Sequence, residues 1–327
     1  MAQFIVKRLL SLIPLLLIIS IISFAIIQLP PGDFVSSYIA RLAEQGDSIS
    51  DQLIVNLRAR YGLDEPMIVQ YWMWIRGVVV GDFGFSFEYR EPVADLIWSR
   101  LGFTLLITLL STLFVWVVSF VIGYYSATHQ HSPGDYIATF FGFIGLATPN
   151  FMLALVIMWL SYDWFGTSMG GLFSREFAEA AWSWARFVDM LKHIWVPIVV
   201  IGTAGTAGLI RIFRANLLDE LSKPYVETAK AKGLPERRLI LKYPVRIALI
   251  PFISTVGWTL PVLVSGETIV GVVLGLPTTG PMLLGALQSQ DMYLAGTFVL
   301  LLSTLTVVGT LVSDILLAWI DPRIAYE

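Results

Sequence analysis

Three histidines, 24 acidic side chains and no cysteine are the raw material for chemistry in this chain of 327 residues. Without cysteine there can be no disulfide, thiol nucleophile or Cys-ligated metal. His129 and His131 stand one residue apart in "THQHS", but a metal site needs three or four donors and no third lies near them in sequence. "GLPTTGP" (275–281) has the paired glycines of a phosphate loop, Gly275 and Gly280. Pro281 and Met282 replace the Lys and hydroxyl residue that would meet the phosphates and Mg²⁺, so the stretch reads as a turn. "GTAGTAG" (202–208) follows no strand, and small residues every third position in an apolar run read as a close-packing helix face. His193, beside Trp195, reads as an interfacial anchor. No H-E-x-x-H motif and no Ser/His/Asp set is visible, so this chain is expected to catalyse nothing and to bind no cofactor or metal.

What must be positioned is therefore structural. The chain is 56% hydrophobic and 14% charged, with a mean hydropathy of +0.75, where soluble domains are about a quarter charged. A net charge of −3 leaves no basic footprint for nucleic acid. Runs of about 20 apolar residues, the length needed to cross a bilayer, fall at 9–29, 101–126, 138–160, 195–213, 248–270 and 294–320. The first follows Lys7 and Arg8 with no small-x-small cleavage site after it, and reads as a retained span.

Basic residues set the orientation. Arg211, Arg214, Lys223, Lys230, Lys232, Arg237, Arg238, Lys242 and Arg246 crowd the connection after the fourth run. Placing it in the cytoplasm puts both termini there and the 31–100 segment outside. The turn "THQHSPGD" carries no Lys or Arg and does not support this orientation. In the outer segments Trp72, Trp74 and Phe83 suit a membrane–water interface, and Trp182, Phe187 and Leu191 have the spacing of an amphipathic surface helix.

Ionisable residues are costly in a bilayer and draw functional attention. Glu267, Asp163 and Asp314 all lie near span ends, and no Asp/Glu/His relay crosses the interior, which speaks against a proton-coupled carrier. Pro149-Asn150 interrupts the third run and Pro261 the fifth. Irregular backbone at membrane depth is tolerated where it is buried in protein or lines a water-filled cavity. Pro149, Asn150, Pro261, Ser265 and Glu267 are thus the candidate pore or gate positions, with a simple kink as the alternative.

The basic stretch "YVETAKAKGLPERRLILKYPVRIALIP" (225–251) has its own local logic. Ser222 is a cap candidate, Pro224 suits a first helical turn, Gly233 suits a helix end, and Pro235 and Pro244 bracket a second short helix. Thr228, Ala229, Ala231 and Gly233 are all small, so another protein's groove could approach the backbone closely, with Glu227 and the lysines at its rim. A surface helix held by anionic lipid is the alternative; it accounts for the cations but not for the small residues.

"ETAKAKG" resembles the E-A-A-x-x-x-G loop in membrane subunits of binding-protein-dependent ABC importers. Glu227 and Gly233 fall on the motif's glutamate and glycine and Ala229 on its second alanine, while Thr228 replaces the first. "YGLDEPMIVQYWMWI", "GDFGFSF", "REPVADLIWSRL", "ATPNFMLAL", Glu267-Thr268, "GLPTTGPMLL" and "DPRIAY" resemble, in order and over nearly the whole chain, B-type permeases of the dipeptide/oligopeptide/nickel family. Two departures are "THQHS", where basic residues are usual, and Thr278, where glycine commonly follows Leu-Pro.

The resemblance implies an all-α integral membrane protein of the bacterial inner membrane, with six transmembrane helices in the type I importer fold. Its implied divisions are a first helix (1–30), an extracytoplasmic segment (31–100), a core (101–320) with a cytoplasmic loop (214–247), and a tail (321–327). It implies a homologous C-type permease subunit, two ABC ATPase subunits carrying ATP and Mg²⁺, and an extracytoplasmic substrate-binding protein. A coupling helix within 222–243 would engage the ATPases through Tyr225, Glu227, Thr228, Ala229, Ala231, Gly233, Leu234 and Arg237. A peptide is the implied solute, with an oligosaccharide or nickel chelate as alternatives. The rival from another class is a carrier or channel working without ATP.

Overall fold

A computed structural model describes residues 2–28, 35–36, 39, 51–166, 169–254 and 267–320. Those residues are helical and irregular, without a strand; one isolated bridge joins Phe85 to Pro92. Helix is the natural outcome for apolar segments in a bilayer, where every backbone N–H and C=O must be satisfied within its own segment. The helices are α1 (Ala2–Gln28), α2 (Asp51–Tyr61), α3 (Met67–Val80), α4 (Val93–Thr128), α5 (Pro133–Ala147), α6 (Asn150–Phe165) and α7 (Trp184–Leu221). They continue as α8 (Pro224–Ala231), α9 (Glu236–Lys242), α10 (Pro244–Ser254), α11 (Glu267–Leu274), α12 (Thr279–Gln288) and α13 (Met292–Ile320). By length and composition four of them can cross a membrane, or up to six elements if each of two bent pairs counts as one span.

The first bent pair is α5 and α6, which meet at 106°. Ser132 caps α5 by accepting a hydrogen bond from the Asp135 N–H, and Pro149 at the N-cap of α6 starts a new helix direction. The expected interruption at Pro149-Asn150 is thus a sharp bend. The second pair, α11 and α12, is broken at Gly275, whose φ of +66° suits a residue without a Cβ. Pro261 and Ser265 lie outside the described residues, as do the central part of the fifth apolar run and the "DPRIAY" tail.

Three expectations are corrected. The stretch holding Phe187 and Leu191 is not a separate surface helix. Ser183 caps α7, which runs unbroken for 38 residues from Trp184 into the fourth apolar run, with Trp182 before it. The reason is burial of its inner face: Asp189 accepts from the Ser174 N–H and hydroxyl at 2.7 and 2.6 Å, and His193 is buried against the Asp189 carbonyl. His193 is therefore a core histidine rather than an interfacial anchor. Trp74 is likewise core, 2% exposed, whereas its neighbour Trp72 is 65% exposed.

The chain divides into two compact units. The unit of Met1–Ile5, Thr104–Pro277 and Val308–Glu327 is centred on Phe213, fully buried among Val115, Leu209, Leu217 and Phe252. Small residues admit close helix contact here. A Cβ on Gly202 would lie 2.6 Å from Phe114 Cδ1, and one on Gly123 would lie 2.9 Å from Phe213. The Ser119 hydroxyl donates to the Thr206 carbonyl across the same contact. The small-residue stretch 202–208 thus packs at Gly202 and Gly205, while Gly208 faces open space.

The unit of Val6–Phe103 and Thr278–Val307 is built on Trp74, which stacks on Phe24 and donates its indole N–H to Thr297 Oγ1 at 3.3 Å. Its irregular 84–91 stretch is held by one buried carboxylate. Asp291 Oδ2 accepts from the Ser86 hydroxyl and from the Phe87 and Glu88 N–H groups, and Oδ1 accepts from the Leu294 N–H.

Candidate functional site

The basic stretch folds as two short helices on a hinge. The long helix α7 ends at Ser222, whose hydroxyl donates back to the Asp219 carbonyl. Ser222 therefore closes α7, and Lys223 takes the N-cap of α8 with Pro224 in its first turn. The expected cap is corrected by one position because the carbonyls ending α7 use the serine first.

Helix α8 ends in a Schellman arrangement. The Gly233 N–H donates to the Lys230 carbonyl at 2.9 Å and the Leu234 N–H to the Ala229 carbonyl at 3.4 Å, with Gly233 at φ +77°. This pattern needs a left-handed residue just past the helix end, and glycine fills it without Cβ strain. Leu234 and Ala229 then meet the same apolar cluster, the hydrophobic contact that accompanies this motif. Pro235 caps α9 and Pro244 opens α10, so the turn chemistry read from the sequence appears at those positions.

The predicted coupling residues separate into two groups. Tyr225, Ala229 and Leu234 are half-buried and pack on the cluster that contains Val226, Leu239 and Ile240. Glu227, Thr228, Ala231, Gly233 and Arg237 are exposed. A rigid apolar underside thus presents a small-residue outer face. Lys230 and Glu236 approach to 3.9 Å across the hinge, but both are well exposed and such a pair contributes little.

The anchor of this element is a residue that sequence reasoning passed over. Glu220, 6% exposed in the last turn of α7, accepts from Lys223 Nζ at 2.6 Å and from the Tyr225 hydroxyl at 2.7 Å. Hydrogen bonds to Glu220 raise the Lys223 pKa. Burial, then the bond to Glu220, pushes the Tyr225 phenol well above its ordinary value. An acid three residues before a lysine and five before a tyrosine, across a Ser-Lys-Pro break, was the available signal.

A second pair explains the turn without cations. Arg214 donates to Asp135 Oδ2 at 2.9 Å, and Asp135 also accepts from the His131 N–H. The positive charge near "THQHSPGD" is delivered from α7. Among the described residues no group of three His, Cys, Asp or Glu side chains could hold a metal ion. Of the candidate pore positions, Pro149 and Asn150 sit at the α5–α6 bend and Glu267 is buried at the start of α11, on separate elements.

Residues 119–326 match the family of binding-protein-dependent transport system inner membrane components, and residues 1–108 match its N-terminal region. The chain belongs to that family and is a permease subunit of an ABC importer, a multi-pass inner membrane protein with no catalytic role of its own. Among its relatives is the oligopeptide transport system permease protein AppB of Bacillus subtilis, 38% identical over 330 residues and covering all of both chains. The permease proteins OppB of Haemophilus influenzae (oligopeptide transport) and GsiC of Escherichia coli (glutathione transport) are each 32% identical over 327 residues, again over all of both chains.

Proposed function

We propose that this chain forms one half of a peptide-conducting pore and receives the ATP-driven stroke through the 222–243 loop. The observation that carries the reading is the hinge at Gly233. It joins a short helix with a small, exposed outer face to a second helix fixed in the core, and places both at the end of a 38-residue helix. An ATPase groove that seats Glu227, Thr228, Ala231, Gly233 and Arg237 would pull on α7 through the Glu220 bonds to Lys223 and Tyr225. Such a rigid lever is what alternating access requires of a coupling element. Three of the relatives are named for oligopeptide or glutathione transport, which supports a peptide over an oligosaccharide or a nickel chelate.

The assembly in this proposal has a homologous C-type permease, two ATPase subunits holding ATP and Mg²⁺, and an extracytoplasmic binding protein. In this reading six spans, at 9–29, 101–126, 138–160, 195–213, 248–270 and 294–320, would return both termini to the cytoplasm; helix length and composition support four spans, or up to six with the two bent pairs. The proposed divisions are 1–30, 31–100, 101–320 and 321–327, with the 214–247 loop on the cytoplasmic side. Pro149, Asn150 and Glu267 are proposed pore positions, because a bend and a buried carboxylate at span ends are costly features in a bilayer. Reconstituted complex in vesicles tests the coupling. Gly233→Trp should abolish peptide uptake and the ATPase stimulation by loaded binding protein; uptake that survives in a fully assembled complex would overturn the assignment.

A further inference from the structure

Beside α8 lies a groove of about 610 Å³ bounded by α8, α9 and the foot of α10. Lys232, Lys242 and Arg246 line it, and no acidic side chain does. All three cations are exposed, and among the described residues none of them makes an ion pair. Lys242 Nζ instead stands 5.3 Å from the Tyr243 ring centroid. The remaining walls are the polar Thr228 and the apolar or aromatic Tyr225, Ala229 and Leu234. Tyr243 and Ile247, 38% and 42% exposed, continue the apolar surface onto α10.

We propose that this groove binds the phosphate of an anionic phospholipid from the cytoplasmic leaflet. The inference rests on the cytoplasmic placement of the loop proposed above. Lys242 ends α9 and Arg246 lies in the first turn of α10, four residues on, and long cationic side chains of this kind can reach out to headgroups. Lys232, the C-cap of α8, brings a third charge. Three convergent cations with a donor-rich guanidinium match a phosphodiester, and the Tyr243–Ile247 surface gives its acyl chains an apolar path. Basic pockets at the cytoplasmic side of spans are a recurrent solution for anionic headgroups. Lipid seated there would hold α8 against α10 and so brace the hinge at Gly233.

The test uses the full complex of both permeases and both ATPases, delipidated in mild detergent and given phosphatidylglycerol or phosphatidylethanolamine. Native mass spectrometry reads the bound lipid and the subunit composition in one spectrum. Phosphatidylglycerol should be retained and phosphatidylethanolamine not. Lys242→Gln and Arg246→Gln should each lower retention about fivefold, while Arg238→Gln, an exposed cation outside the groove, leaves it unchanged. Lys232→Gln, on the other wall, should act like the first two and stands in for either if it fails to assemble. Equal loss with Arg238→Gln would reduce the effect to diffuse charge and overturn the site. Displacement of the lipid by inorganic phosphate at equal concentration would reassign it to free anions. Unchanged lipid with shed ATPase subunits would give the groove to a protein partner. Because Gly233→Trp reports on ATPase engagement and these variants on lipid mass, either proposal can fail while the other stands.

Discussion

The Tyr225 hydroxyl donates to Glu220 Oε2 at 2.7 Å, tying the first turn of the short helix α8 to the last turn of the 38-residue helix α7. The Ser222–Lys223 break between them is otherwise a place where the chain could flex. Tyr225→Phe keeps the ring against its apolar cluster and removes the bond, at a cost of about 1 kcal/mol. Amide exchange in 224–232 should then rise about fivefold relative to α9, with the core of α7 unchanged. Glu220→Gln keeps one acceptor and should fall between Tyr225→Phe and wild type. Unaltered exchange in both variants would show that the clasp does not hold the helix.

The same bond has a pH signature. Burial and Glu220 hold the Tyr225 phenol above its ordinary value, so the neutral form is favoured in the folded protein. Its contribution is fully present below about pH 10 and is lost only as pH rises through the raised folded value. The clasp is therefore predicted not to weaken between pH 6 and 9 through this group. A difference titration of wild type minus Tyr225→Phe at the phenolate absorbance should isolate one tyrosine ionising above the bulk. A midpoint near 10 would contradict the structure.

Gly233 has a left-handed φ of +77° and no atom within 4 Å of where its Cβ would stand. Space and backbone geometry can therefore be separated at this one residue. Gly233→Ala should cost about 1–2 kcal/mol from the left-handed backbone alone, and Gly233→Asn less, since asparagine tolerates that region. Both should leave the complex assembled, with the thermal transition of the purified permease lowered most for alanine. If ATPase stimulation falls with Ala and Asn alike while stability orders them differently, the outer face rather than the hinge is what the ATPase reads.

Legibility in the sequence followed the range of the interaction. The α8–Gly233–α9 arrangement was readable because proline, glycine and small residues act within a few positions of themselves. The α5–α6 bend was readable at Pro149 for the same reason. Trp74 and Trp72 are two residues apart in one aromatic helix, and only the packing of Phe24 and Thr297 decides which of them is buried. His193 was misassigned because its neighbour Trp195 suggested an interface, whereas Asp189 and Ser174 set its surroundings. Arg214 could be counted as a cytoplasmic charge, but its partner Asp135 stands 79 residues away, beyond the reach of local pattern. Glu220 was missed because a lone acid at a helix end looks like solvation.

The Asp291 carboxylate offers a test of how far one side chain organises irregular backbone. Its two oxygens take four donors, three of them from Ser86, Phe87 and Glu88, in a stretch with no regular structure of its own. Asp291→Ala leaves buried N–H groups without an acceptor and should destabilise by about 3 kcal/mol, with proteolytic nicking appearing between 84 and 91. Asp291→Asn has one acceptor oxygen in place of two and should sit nearer to alanine than to wild type.

Close helix contact at Gly202 is the last relationship that a substitution can isolate. A Cβ there would stand 2.6 Å from Phe114 Cδ1 and 3.3 Å from Val115 Cγ2, closer than an added methyl group can sit without a shift of its neighbours. Gly202→Ala is expected to destabilise by about 1–3 kcal/mol through overpacking, despite alanine's better helix propensity. Phe114→Leu shortens the opposing side chain and should recover at least half of that loss in the double variant, a coupling of about 1 kcal/mol measurable by a double-mutant cycle on the thermal transition. Additive effects of the two substitutions would mean that the helices separate to admit the methyl group. In that case the small residues at 202 and 205 serve sequence economy rather than contact, and Gly205→Ala, whose Cβ meets Val115 at an ordinary 3.5 Å, should be no milder than Gly202→Ala.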